Sequence, residues 1–120
     1  MKILIVDDSR AMRRIIQRTL RQAGFSGHDI IEAGDGFEAL DAVHSHKPDL
    51  ILSDWHMPEM NGLDFKRALN AENNQTPFGF ITSESTTKMR NLAAEAGADF
   101  LLAKPFTPDD MEQALGMYVS

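Results

Sequence analysis

Five short apolar runs, at residues 2–6, 29–32, 49–54, 78–82 and 100–103, alternate with longer stretches whose apolar residues recur at three- and four-residue intervals. Runs this short have the length of buried strands, and the intervals between them are those of amphipathic helices. A repeat of strand and helix joins parallel strands through right-handed crossovers. The expected fold is therefore α/β, a doubly wound five-stranded parallel sheet with five helices on both faces. Ligands of such sheets collect beyond the carboxyl ends of the strands. The central run, Leu50-Ile51-Leu52-Ser53, drives straight into Asp54 and is stopped by Pro58, so it delivers a carboxylate to that edge.

Local signals set the other boundaries. Ser9 is an N-cap for a first helix ending at Gly24. Its apolar arc holds Ala11, Met12, Ile15, Ile16, Leu20 and Ala23, and at about 100° per residue Arg10, Arg13, Arg14, Arg18 and Arg21 take the opposite arc. The run at 29–32 is the least apolar and fits a sheet edge. Asp35 with Glu38 resembles a capping box, opening a second helix with Phe37, Leu40 and Val43 inward. A third helix is expected over 63–71, preceded by Gly62 as a positive-φ position and followed by a surface loop over 72–77. Ser85 or Thr86 caps a fourth helix closed by Gly97. Thr107-Pro108-Asp109-Asp110 supplies a cap, a first-turn proline and acids for a last helix bearing Met111, Ala114, Leu115 and Tyr118.

At 120 residues the chain is expected to be a single domain, 1–120. No apolar run approaches the roughly 20 residues that cross a bilayer, and the N-terminal patch is too short for a secretory signal. Cysteine is absent, which excludes disulfides, thiolate chemistry and cysteine zinc sites and fits a cytoplasmic location. The net charge of −6 hides an asymmetry. Residues 10–23 carry five arginines and no acid, so seven basic residues face 18 acidic ones in the remainder, a balance of −11. That disfavours direct nucleic-acid binding and leaves one local basic face.

If all strands point the same way, Asp7, Asp8, Asp54, Thr82 and Lys104 meet at one end of the sheet. Two unit charges 4 Å apart repel by about 4 kcal/mol at an effective dielectric near 20, so clustered carboxylates need compensation. A hard divalent cation is the natural one. Mg²⁺ suits better than Ca²⁺, because it uses few carboxylates, keeps several waters and works with phosphate oxygens. Lys104 adds a mobile cation for a carboxylate or a phosphoryl oxygen. Such a set is equipped for phosphoryl transfer, with Asp54 as the nucleophile that forms an acyl phosphate.

The pieces Val6-Asp7-Asp8-Ser9, Glu32-Ala33-Gly34-Asp35-Gly36, Asp49 to Asp54, Met57-Pro58-Glu59-Met60-Asn61-Gly62, Thr82, and Lys104-Pro105-Phe106 after Gly97-Ala98-Asp99 are each weak alone. In this order and spacing they are specific, and the chain resembles a response-regulator receiver domain of two-component signalling, most like the single-domain chemotaxis type. The resemblance implies the flavodoxin-like strand order 2-1-3-4-5. It implies phosphotransfer to Asp54 from the phosphohistidine of a sensor histidine kinase or histidine phosphotransfer domain. It further implies that Asp8 and Asp54 hold Mg²⁺ with the backbone carbonyl of His56, while Asp7 assists through water or orientation. Thr82 would bond a phosphoryl oxygen, Lys104 would pair with the phosphate, and Lys104–Pro105 would be cis. A downstream protein would read the fourth helix, fifth strand and fifth helix. One departure stands out: three residues before the lysine the family commonly carries Tyr or Phe as a rotamer switch, and here that residue is Leu101. Phe100, one position off, should face the other side of its strand.

His56, two residues after Asp54, and Glu84, two after Thr82, read either as groups that relay a proton to or from an attacking water or, more often, as exposed side chains that tune water access. His44 and His46 read as solvated, without a partner carboxylate. Arg10, Arg14 and Arg18 form either a solvated face or a docking face for an acidic kinase or phosphotransfer domain. On this reading the chain catalyses its own phosphorylation and dephosphorylation and is not an enzyme for a separate substrate. Two other classes stay open: a Mg²⁺-dependent phosphohydrolase, against which His56 stands where a second aspartate is common, and a receiver kept only as a binding module.

Overall fold

The computed structural model describes residues 1–119. Its strands β1 (Lys2–Val6), β2 (Asp29–Ala33), β3 (Leu50–Ser53), β4 (Phe78–Thr82) and β5 (Phe100–Ala103) form one parallel sheet in the order β2-β1-β3-β4-β5. Helices α1 (Arg10–Gln22), α2 (Gly36–His46), α3 (Gly62–Ala71), α4 (Thr87–Glu95) and α5 (Pro108–Leu115) connect and follow the strands. This is the flavodoxin-like doubly wound order. The three central strands are covered on both faces, which explains why their runs are unbroken, while β2 at the edge is half exposed, as its weaker run suggested.

Alternation along each strand splits the core in two. Leu4, Val6, Ile51 and Phe80 point to one side and pack on Val43, Leu63 and Met89 of α2, α3 and α4. Ile3, Ile5, Leu52 and Leu102 point to the other side and pack on Leu20 of α1 and Met111 of α5. At about 1.5–3 kcal/mol for each fully buried large aliphatic, the two layers make the sheet a rigid base for whatever stands on its edge.

Caps stop the helices where the spacing predicted. Ser9 accepts from Met12 N–H at α1, Thr86 rather than Ser85 caps α4, and Thr107 with Asp110 forms a full capping box at α5. At α2 Asp35 accepts from Glu38 N–H at 2.8 Å. α5 stops at Leu115, so Tyr118 lies past its end and still packs near Phe100, at 5.7 Å between rings.

Three expectations need correction. Phe37 does not point inward and is 54% exposed. The buried stripe of α2 runs through Gly36, Ala39 and Val43, and Phe37 stands about 100° around the helix from Gly36. Gly62 does not occupy a positive-φ position; the positive-φ glycines are Gly24, Gly27 and Gly97. It is required by crowding instead, since a Cβ there would lie 2.1 Å from the carbonyl oxygen of Asp54. Arg13 does not share the free arc of the other α1 arginines, for its side chain is only 16% exposed. Seven residues separate it from buried Leu20, which brings it back to within about 20° of the same helical face.

Candidate functional site at the carboxyl edge of the sheet

Strand register decides which groups meet. Val6 pairs with Ser53, and the ladder continues one step further as Asp54 N–H donates to Val6 C=O at 2.8 Å. Asp7 and Asp54 therefore leave adjacent central strands side by side. Thr82 pairs with Ala103, and Lys104 N–H donates to Thr82 C=O at 2.8 Å, so the lysine leaves β5 just beyond the threonine. Asp7, Asp8, Asp54, Thr82 and Lys104 therefore all stand at this edge.

The carboxylates of Asp7, Asp8 and Asp54 place one oxygen each within 4.8 Å of one another. Asp7 is buried, Asp54 nearly so and Asp8 exposed, so the trio opens to solvent on the Asp8 side. Lys104 Nζ lies between two of them, 3.1 Å from Asp7 Oδ2 and 3.6 Å from Asp54 Oδ2. Asp54 Oδ1 accepts from Trp55 N–H at 2.8 Å, and Asp7 Oδ1 accepts from Ser9 N–H at 2.9 Å. Burial, together with the neighbouring Asp7 charge, pushes the Asp54 carboxyl above its ordinary range, and Lys104 and the Trp55 N–H act against that rise. One ammonium among three carboxylates leaves an anionic recess, and its all-oxygen donor set fits a hard divalent cation.

Thr82 is fully buried, and its Oγ accepts from Glu84 N–H at 3.3 Å. Because that bond uses the oxygen as acceptor, the hydroxyl proton remains available to an incoming acceptor. His56 and Glu84 face each other across the mouth with His56 Nε2 3.4 Å from Glu84 Oε1, and both side chains are more than half exposed. The two residues read separately as exposed tuners thus form a pair. His44 is solvated as expected, and its Nε2 also lies 2.7 Å from Glu72 Oε1.

Trp55 turns away from solvent and packs on Phe80 with ring centroids 4.7 Å apart. Phe100 and Leu101 face opposite sides of β5 as expected, Phe100 toward α5 and Leu101, half buried, in the layer with Phe80. Lys104–Pro105 is cis. Arg13 is the residue at this edge that the spacing of α1 concealed: its Nη1 donates to Asp7 C=O at 2.6 Å and its Nε to Glu32 Oε1 at 2.9 Å. A sequence signal existed in its three- and seven-residue separations from Ile16 and Leu20.

Comparison with known proteins gives a consistent result. Residues 3–116 match the response regulator receiver domain family. The chain is 40% identical over 118 residues to the chemotaxis protein CheY1 of Helicobacter pylori strain J99, spanning 96% of this chain and 94% of that protein. It is 40% identical over 117 residues to the chemotaxis protein CheY of Pseudomonas aeruginosa, spanning 96% and 93%. Among solved structures, the chemotaxis response regulator CheY4 of Vibrio cholerae superposes with a TM-score of 0.85 at 32% identity, covering 98% of both chains.

Proposed function

Because the chain belongs to the response regulator receiver domain family, we propose that it is a phosphorylatable switch whose acceptor is Asp54 and whose output, as the CheY relatives suggest, is chemotaxis-like. The observation that carries this reading is Lys104 Nζ poised between Asp7 and Asp54, beside a buried threonine hydroxyl and an acidic trio. The donor is a phosphohistidine on a sensor histidine kinase or histidine phosphotransfer domain. An Asp54 oxygen forms the new bond to phosphorus as the P–N bond breaks. The electron pair returns to the imidazole, which takes up a proton and leaves neutral.

Each residue has a definable task. Trp55 N–H holds one Asp54 oxygen and leaves the other on the Lys104 side. Lys104 can swing from Asp7 to the phosphoryl oxygens, and Thr82 can donate its hydroxyl to another of them. Asp8 and Asp54, with the backbone carbonyl of His56, would hold Mg²⁺, and Asp7 would support it through water. When bound, Mg²⁺ supplies charge neutralisation for the acids and the phosphoryl group. His56 and Glu84, paired at 3.4 Å, would limit approach of water to the acyl phosphate, and the domain would thereby govern its own dephosphorylation.

For partners, Arg10, Arg14 and Arg18 on the exposed arc of α1 offer a basic face to an acidic donor, and α4, β5 and α5 offer a surface to the downstream protein. Among the described residues no helix is long and apolar enough to cross a membrane; the absence of cysteine and the histidine-kinase partner suit a cytoplasmic protein. The test is intact-mass analysis after treatment with acetyl phosphate and Mg²⁺. One phosphoryl group should be gained and should vanish in Asp54→Asn. Labelling that persists in that variant moves the acceptor elsewhere and overturns the assignment, and catalytic turnover of phosphoesters would favour a hydrolase.

A further inference from the structure

Among the five arginines of α1, Arg13 alone is drawn into the carboxyl edge of the sheet. Its guanidinium spans two anchors. Nη1 donates to the main-chain carbonyl of Asp7 at 2.6 Å, and Nε donates to the Glu32 carboxylate on β2 at 2.9 Å. The Asp7 carbonyl belongs to the same planar peptide as the N–H of Asp8, so fixing that oxygen fixes the plane from which Asp8 leaves the strand. The two ends of this segment are held independently: Asp7 N–H donates to Ala33 C=O at 3.1 Å, and Ser9 N–H donates to Asp7 Oδ1 at 2.9 Å. Arg13 N–H in turn donates to Ser9 C=O at 3.0 Å, which closes a ring linking the acidic turn to the first turn of α1.

We propose that Arg13 is a positioning residue for divalent-cation binding, holding the Asp7–Asp8 peptide so that the exposed Asp8 carboxylate stands over Asp7 and Asp54. Asp7 is gripped by Lys104 and Ser9, and Asp54 by Trp55 and Lys104, whereas Asp8 is oriented through the Asp7–Asp8 peptide that Arg13 holds. A guanidinium suits this task because its planar fork can meet a carbonyl and a carboxylate at once, whereas a lysine ammonium is a point charge on a flexible stem. Groups that orient a metal ligand typically contribute about 10–100-fold to affinity.

The sign of the effect separates positioning from simple electrostatics. A cation beside an anionic recess repels Mg²⁺, so removing the Arg13 charge by Coulomb's law alone would tighten Mg²⁺ binding. Loss of positioning weakens it. The inference rests on the reading of Asp7, Asp8 and Asp54 as a cation site, and the experiment keeps the two apart. Mg²⁺ affinity is measured by titration calorimetry on the full chain for wild type, Arg13→Met, Arg13→Lys and Glu32→Gln, at a temperature where circular dichroism shows each variant folded. The expected result is a dissociation constant raised about tenfold in Arg13→Met. Arg13→Lys, which keeps the charge, should also bind more weakly than wild type, and Glu32→Gln should shift in the same direction by less. If Arg13→Met fails to fold, the lysine variant, which leaves the net charge unchanged, carries the test. Wild type that binds no Mg²⁺ overturns the cation site itself. Wild type that binds, with Arg13 variants equal or tighter, overturns the positioning role alone.

Discussion

Gly62→Ala is the substitution that most directly probes how the site is built. Gly62 opens α3, and its N–H donates to Trp55 C=O at 2.8 Å, which folds the β3–α3 loop back over the strand end. A Cβ at this position would stand 2.1 Å from Asp54 O, 3.1 Å from Asp54 C and 3.1 Å from Phe80 Cε1. Ordinary contact begins near 3.4 Å, so the backbone of Asp54 or the start of α3 has to move by more than an ångström. Overpacking of well-ordered sites costs about 1–3 kcal/mol, and the upper end applies where the obstacle is main chain. With an unfolding entropy of about 2.1 cal/mol/K per residue, a loss of about 3 kcal/mol lowers Tm by roughly 12 °C in a domain of this size. A positive-φ glycine would behave differently: alanine there would cost about 1 kcal/mol and asparagine less. Thermal denaturation of Gly62→Ala and Gly62→Asn, alongside acetyl phosphate labelling, distinguishes the two. Both variants should be strongly destabilised and labelled slowly. An alanine variant within about 1 kcal/mol of wild type, or an asparagine variant more stable than it, refutes the crowding argument.

Further perturbations follow from the charges. Asp54→Asn removes a carboxyl whose pKa is raised by burial and by Asp7; the folded state then holds a proton that the unfolded chain has released, so wild-type stability falls as pH rises from the ordinary carboxyl value through the raised one. The variant should therefore melt higher at neutral pH, with the gain vanishing in acid, and calorimetry at several pH values checks it. Lys66 is buried on α3 with Nζ donating to Asn70 Oδ1 at 2.9 Å, and burial pushes its pKa down against the opposing pull of Asp99. Lys66→Met should stabilise by about 1 kcal/mol at neutral pH, and the advantage should shrink as pH rises from the lowered pKa toward the ordinary lysine value, because the wild type gains stability across that window. Mg²⁺ at 100 times its dissociation constant should add about 2.7 kcal/mol and raise Tm by roughly 11 °C, a shift that Asp8→Asn should largely abolish in a thermal scan. Reversing the charge of Arg14 and Arg18 should slow phosphotransfer from the histidine donor about tenfold at low salt and leave acetyl phosphate labelling unchanged; equal rates from the protein donor would remove α1 as a docking face.

The sheet and most of the site were legible because both are written locally. An apolar run specifies a strand, and the residue that ends the run stands at the strand's end whatever the rest of the chain does; Asp7, Asp54, Thr82 and Lys104 were all identified in this way. Pairing between them is not local. Lys104 reaches Asp7 across 97 positions, and only the registers of β1 on β3, β3 on β4 and β4 on β5 together bring them to 3.1 Å. Gly62 shows a second limit. A glycine before a helix looks the same whether it serves a left-handed backbone or a close approach, and the passing carbonyl of Asp54 is what separates the two.

What stayed hidden has a common physical origin in the main chain. Arg13 and Arg14 are adjacent letters of one type, and helical geometry turns only the first of them inward. An inward arginine makes sense only with an acceptor in view, and its acceptor is the Asp7 carbonyl, a group that every residue carries and that no side-chain pattern advertises. The same holds for the N–H of Trp55 on Asp54 and the N–H of Glu84 on Thr82. Reacting groups are announced by residue type, whereas the bonds that aim them come largely from the backbone. A substitution that leaves every named acid, hydroxyl and lysine in place can therefore still disable this edge, provided that it moves the main chain beneath them, as a methyl group on Gly62 would.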